Sequence, residues 1–182
     1  MQELSLNILD IVQNSIRAEA SLTEITVIED VLADVLEISI KDNGCGMSAE
    51  QLEKVKDPFF TTRTTRDVGL GVPLFKMAAE MSGGEFYIDS SEGVGTELKA
   101  TFGYSNIDRM PLGDMCTTIG IIISMNTDRD FLYSYSYNGE SFTLDTRELR
   151  ETLGDIPLNN PDVAEWIKEY LLENTCAVKS QD

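Results

Sequence analysis

The sequence predicts an α+β fold. Three observations lead there: an amphipathic N-terminal helix that runs directly into two alternating strands, a second pair of strands folded about Gly93-Val94-Gly95, and a third folded about Asn138-Gly139. At 182 residues the chain fits one generous domain, or a domain with a sizeable annex. A chain of this length buries roughly 70% of its unfolded surface, so no disulfide or metal is needed to hold it.

The elements follow in order. Residues 4–18 read as a helix whose broad apolar face carries Ile8, Leu9, Ile11, Val12 and Ile16, with Asp10, Gln13, Asn14 and Arg17 opposite. Strands are expected at 24–29 and 36–41, the second alternating Leu36, Ile38 and Ile40 with Glu37, Ser39 and Lys41. Ser48 and Gln51 have the spacing of a capping box and open a short helix to about residue 56. Residues 57–68 show no apolar period and read as a mobile loop. A helix over 70–82 tolerates Pro73 in its first turn and stops at Gly83-Gly84. Strands at 85–90 and 96–102 form the hairpin about Gly93-Val94-Gly95. Beyond Tyr104, residues 105–115 read as a linker and 117–125 as a hydrophobic strand. Phe131, Tyr133, Tyr135 and Tyr137 then alternate with small residues up to Asn138-Gly139, a strong hairpin signal, and 140–144 return. The tyrosine pattern fits core better than a ligand site. Asp145 and Glu148 start a helix that ends at Gly154, and Asn160-Pro161 starts the last one.

Charge and composition exclude several functions. Fourteen basic residues face 32 acidic ones for a net charge of −18, and both parts of the chain are acidic. Nucleic-acid binding needs clustered Lys and Arg, so no nucleic-acid partner is expected. There is no histidine, which removes histidine metal sites, Ser-His-Asp triads and self-phosphorylation on histidine. Cys45, Cys116 and Cys176 are odd in number and too dispersed for a zinc knuckle, so reduced thiols in a cytoplasmic protein are expected. No apolar run is long enough for a membrane span, and no signal peptide is evident.

Nine of the 13 glycines fall between Gly44 and Gly103, mostly as spaced pairs. There is no Walker A sequence. Gly44-x-Gly46-x-x-Ala49 has dinucleotide-fold spelling but lacks the return to a parallel strand which that fold requires. The pieces gain meaning together. LDIVQNSIRA is followed by DNGCGM, DPFFTTR, GLGVPLFK and GVGTELKATF, in that order and spacing. This series resembles the GHKL ATPase superfamily of DNA gyrase, the ninety-kilodalton heat-shock chaperone, sensor histidine kinases and MutL-type repair proteins. The segments look like its N box, first glycine box, F box, second glycine box and third glycine box. The resemblance covers about residues 4–103 and is closest to histidine kinases and anti-sigma kinases. It implies a two-layer α/β sandwich of the Bergerat type, with a mixed sheet and helices on one face. The expected division is a nucleotide-binding domain over 1–104 and a C-terminal α/β annex over 105–182.

The resemblance also implies ATP and Mg²⁺, and the residue chemistry is intelligible beside it. Asp42 can accept a hydrogen bond from an adenine amino group, where guanine would present an acceptor. Gly44 and Gly46 let backbone lie against the base, and Met47 can pack on its ring. Thr96 joins the adenine hydrogen bonds by resemblance. Asn14 is a neutral oxygen ligand suited to Mg²⁺ beside phosphates. Gly69, Leu70, Gly71 and Val72 start a helix whose N-terminus favours phosphate. Arg17, Arg63 and Arg66 are candidates to neutralise it, and Phe59 belongs to the F box. Taken singly, Asp42 reads better as a turn residue and Asn14 as solvated helix surface, while Arg63 and Arg66 read equally as solvated charges. Asp10 stands where hydrolytic members carry the glutamate that activates water. It has the carboxylate but is one methylene shorter, so its catalytic part stays open.

Three functions are compatible with this. The chain is a stand-alone kinase-like enzyme passing the γ-phosphoryl group to a partner protein, an ATP-gated protein-binding module without chemistry, or a MutL-like ATPase, which the acidic charge disfavours. In the first two, the 57–68 loop is expected to respond to ATP. The 105–182 region packs as an annex or provides a partner or homodimer surface.

Overall fold

The computed structural model describes residues 3–56 and 71–180. The chain begins with helix α1 (Leu4–Arg17), then strands β1 (Leu22–Asp30) and β2 (Val35–Asp42) and the short helix α2 (Ala49–Lys56). Helix α3 (Gly71–Met81) leads into the hairpin β3 (Phe86–Ser91) and β4 (Gly95–Gly103). The remainder is α4 (Met115–Met125), β5 (Asp130–Tyr137), β6 (Glu140–Asp145), α5 (Thr146–Leu153) and α6 (Pro161–Lys179).

All six strands lie in one sheet of order β3-β4-β2-β1-β5-β6. Every neighbouring pair is antiparallel except β1 and β5, which run parallel, so the sheet is mixed. Burial alternates along the central strands: Ile25, Val27, Leu36, Ile38, Ile40, Leu98, Ala100, Phe102, Phe131, Tyr133 and Tyr135 face the core. The intervening residues face outward, as period-two patterning requires of a sheet covered on one side. The covering layer comes from α1, α3, α4 and α6, with Leu4, Ile8, Phe75, Ala79, Ile119, Ile122, Ile167 and Leu171 pointing into one continuous core. This is the two-layer α+β architecture the resemblance implied.

Residues 105–182 therefore do not stand apart: β5 extends the N-terminal sheet, pairing with β1 along its own full length. The expected linker does structural work as well. The carbonyls of Pro111 and Leu112 accept the backbone N–H groups of Leu4 and Ser5 at 2.9 Å, which satisfies two otherwise orphaned donors of the first turn of α1.

One element differs from expectation. Residues 117–125, read as a strand, form most of helix α4. The segment MCTTIGIIISM contains no charged residue, so its burial pattern cannot be read from polarity, and its isoleucines favour a strand reading. The local signal is Asp114, whose carboxylate caps the helix by accepting from Thr117 N–H at 2.9 Å. Hydrogen bonding by the Thr117 side chain, and after it by the Thr117 N–H, holds the Asp114 carboxyl below the usual range. Elsewhere the punctuation matches. Ser48 and Gln51 bond reciprocally, and Asn138 and Gly139 both take positive φ, 49° and 94°, as a type I′ turn needs. The alternating aromatics are core: Tyr133 and Tyr135 are almost completely buried and pack around Phe142.

A buried polar knot fastens the C-terminal helix to the sheet. Glu29 on β1 accepts from the Tyr135 hydroxyl at 2.5 Å and pairs with Lys179 near the end of α6 at 3.0 Å. The Lys179 ammonium also lies over the rings of Tyr135 and Tyr137. Burial, reinforced by the Glu29 carboxylate, pushes the Tyr135 hydroxyl far above its ordinary pKa.

Candidate functional site

One row across the sheet brings the singled-out polar residues together. Register places Ser90 on β3 opposite Thr96 on β4, Thr96 opposite Asp42 on β2, and Asp42 opposite Thr23 on β1. This row is the last of the core-facing side before β2 ends, so hydroxyls and a carboxylate replace the aliphatic side chains of the rows below. Asp42 is 9% exposed. Its two oxygens are held from different elements: Oδ2 accepts from Ser15 Oγ of α1 at 2.6 Å, and Oδ1 accepts from Gly44 N–H at 2.9 Å. A carboxylate has about four lone-pair directions. Two incoming donors therefore fix its plane and leave capacity for a further donor, such as an exocyclic amino group.

The turn after β2 is locked onto the β3–β4 hairpin. Gly93 N–H donates to the Cys45 carbonyl at 2.7 Å. Gly46 has φ +67°, and a Cβ there would overlap the Ser91 carbonyl; one at Gly95 would overlap the Asp42 carbonyl. These glycines are thus required by close backbone packing between the two loops, and Gly44 packs likewise on Ala18. Met47 is half-buried against the core and anchors its N–H on Ser90 Oγ at 2.9 Å.

Helix α1 carries the rest. Asn14 is half-buried and accepts from Arg17 through Oδ1 at 3.3 Å, and Arg17 is exposed. Asp10 is exposed, one turn nearer the N-terminus. It meets the start of α3, where a Cβ placed on Gly71 would lie 2.9 Å from Asp10 Cβ. Val72 is buried in the core. The structure thus gathers Asp42, Gly44, Gly46, Met47 and Thr96 at one sheet end beneath Ser15. Asp10 and Asn14 lie on the same helix as Ser15, and Asp10 stands beside the N-terminus of α3. Phe59, Arg63, Arg66, Gly69 and Leu70 lie outside the described residues.

Sequence reasoning missed Ser15, Thr23 and Ser90. Ser15 sits next to Asn14 and falls on the buried side of α1; a polar residue on that side was the available signal. Ser90 and Thr23 are single hydroxyls in strands, which nothing in the pattern marks. Among the described residues no group of three or more His, Cys, Asp or Glu is placed to hold a metal ion. Asn14 Oδ1 can contribute one neutral oxygen to a hard cation only where the ligand supplies others.

The sheet order, the one-sided helical layer and the polar row under α1 define a protein of the Bergerat ATPase class. Residues 2–106 match the family of histidine kinase-, DNA gyrase B- and HSP90-like ATPases, and the chain belongs to that family. Over 111 residues it is 32% identical to the sensor histidine kinase WalK of Bacillus subtilis, covering 57% of this chain and 18% of the kinase. It is 33% identical to the histidine protein kinase DivJ of Caulobacter vibrioides over 95 residues, or 50% of this chain and 16% of that one. The chain therefore spans less than a fifth of the length of these two curated relatives. The solved ATPase domain of Aquifex aeolicus MutL, complexed with ADP, shares the fold with a TM-score of 0.51 at 14% identity, covering 93% of this chain and 88% of that one.

Proposed function

We propose that the chain binds ATP with Mg²⁺ and passes the γ-phosphoryl group to a partner protein. The observation that carries the reading is Asp42: a buried carboxylate held by Ser15 and Gly44, in one row with Thr96 and open to one more donor. Such a group accepts from the amino group of adenine and rejects the carbonyl of guanine. Asn14 would hold Mg²⁺ together with phosphate oxygens, and the ion would supply neutralisation of phosphate charge. The N-terminus of α3 beside Asp10 favours the phosphates through its amides and dipole.

In the transfer step a partner hydroxyl attacks the γ-phosphorus. Its oxygen–phosphorus bond forms while the bond to the β-phosphate oxygen breaks, ADP departs, and the hydroxyl proton passes to the Asp10 carboxylate. Residues 1–104 serve as the nucleotide unit and 105–182 as the extension that presents a partner or dimer surface, in a reducing cytosol. Incubation with γ-labelled ATP and extract from the native cell tests this: label on a partner protein is expected, and its absence while ATP binds removes transfer. The shorter side chain of Asp10 favours a second reading, an ATP-gated binding module, in which partner capture depends on ATP without any labelled product.

A further inference from the structure

The Ser90 hydroxyl makes three contacts, and a hydroxyl has only one hydrogen. It accepts from Met47 N–H at 2.9 Å, donates to the Gly95 carbonyl at 2.9 Å, and lies 2.9 Å from Thr96 Oγ1. With its own hydrogen committed to Gly95, the contact with Thr96 must be donated by Thr96. The Thr96 hydrogen is thereby turned toward β3, away from Asp42 on the other side of β4.

We infer that Ser90 is a positioning and specificity-determining residue, which orients the Thr96 hydroxyl so that Thr96 and Asp42 present a purine with acceptors only. The inference rests on the nucleotide reading above and adds to it a second source of base discrimination. Asp42 is a carboxylate and is an acceptor whatever surrounds it. A free threonine hydroxyl rotates and serves as donor or acceptor, so it discriminates nothing. Bound to Ser90 it offers lone pairs alone. A base edge with an amino group satisfies the pair directly, and a ring nitrogen reaches it only through a water that donates both ways. A 6-oxo purine places its carbonyl against two acceptors, and its single N1–H can satisfy only one of them. Ser90 also ties the turn after β2 to the β3–β4 loop through Met47 and Gly95, so the same hydroxyl sets where Thr96 stands.

The test compares ATP with inosine triphosphate by calorimetry on the full chain and on Ser90→Ala, Ser90→Thr and Thr96→Val. In the wild type ATP is preferred. In Ser90→Ala the Thr96 rotor is released and can donate to the 6-carbonyl, so the ATP/ITP preference falls about tenfold, the value of one hydrogen bond. Ser90→Thr keeps the hydroxyl and restores the preference; Thr96→Val, having no rotor, is insensitive to a second Ser90→Ala change. A purely structural Ser90 would weaken both nucleotides alike and leave their ratio unchanged, which overturns the inference while the nucleotide reading stands. Hydrogen exchange at Met47 N–H in the ligand-free protein gives a further check. It should quicken in Ser90→Ala and stay slow in Ser90→Thr, and equal rates in all three proteins contradict the Ser90 network itself. Binding of neither nucleotide by the wild type brings down the nucleotide reading, and the selectivity inference with it.

Discussion

At Asp10 the proposed function turns on one methylene. Its carboxylate is exposed on α1 beside the start of α3, near where phosphates are proposed to bind. General-base assistance contributes roughly 10²–10⁴ in rate and depends on reach. Asp10→Glu is therefore expected to raise basal ATP hydrolysis at least about tenfold, while Asp10→Asn leaves ATP affinity nearly unchanged, both read by phosphate release and calorimetry. Loss of binding in Asp10→Asn would make the residue structural or metal-linked instead. Gly46 is decided by sterics. Its positive φ and its contact with the Ser91 carbonyl leave no room for a side chain. Gly46→Ala should cost about 2 kcal/mol or more in urea unfolding, and a stability within about 0.5 kcal/mol of wild type would show that the two loops part easily.

At the scale of elements, the helix that escaped the sequence reading makes the sharpest prediction. Asp114 satisfies a donor of the first turn of α4, and Asp114→Ala should destabilise the protein by about 1 kcal/mol near neutral pH. Because the folded carboxyl is held below its ordinary value, its contribution is full above that value and fades as pH falls through the folded one. The difference between wild type and Asp114→Ala should thus narrow in acid; a constant difference would contradict the cap. The reason α4 was illegible is physical. An apolar run without charges fits a buried strand and a buried helix equally, and only the side-chain cap distinguishes them. Where polar and apolar residues alternate, as in β1, β2 and β5, or where turn chemistry is explicit, as at Asn138-Gly139, the elements were legible from the sequence. The candidate site was half legible. Asp42 and Thr96 stand out through the order of their boxes, whereas Ser15 and Ser90 acquire meaning only once register and helix packing bring them to those residues.

For the whole molecule, the parallel pairing of β1 with β5 and the Glu29–Lys179–Tyr135 knot bind the C-terminal elements to the N-terminal part of the sheet, so both should unfold together. The knot also sets an alkaline limit. Buried Tyr133 and Tyr135 stay protonated in the folded protein above the ordinary tyrosine value of 10.0, whereas the unfolded chain ionises there. The unfolded state then binds fewer protons, so stability falls as pH rises past that value. Urea midpoints should drop steadily above about pH 10, and less steeply in Tyr135→Phe; a flat profile would mean that these hydroxyls are not buried. The central claim remains that Asp42 reads an amino group, and calorimetry of ATP and GTP in the presence of Mg²⁺ tests it most directly. ATP should bind, GTP should show no measurable binding, and Asp42→Asn should bind ATP at least about tenfold more weakly. Equal affinity for the two nucleotides, or an Asp42→Asn protein that binds ATP as the wild type does, would contradict it.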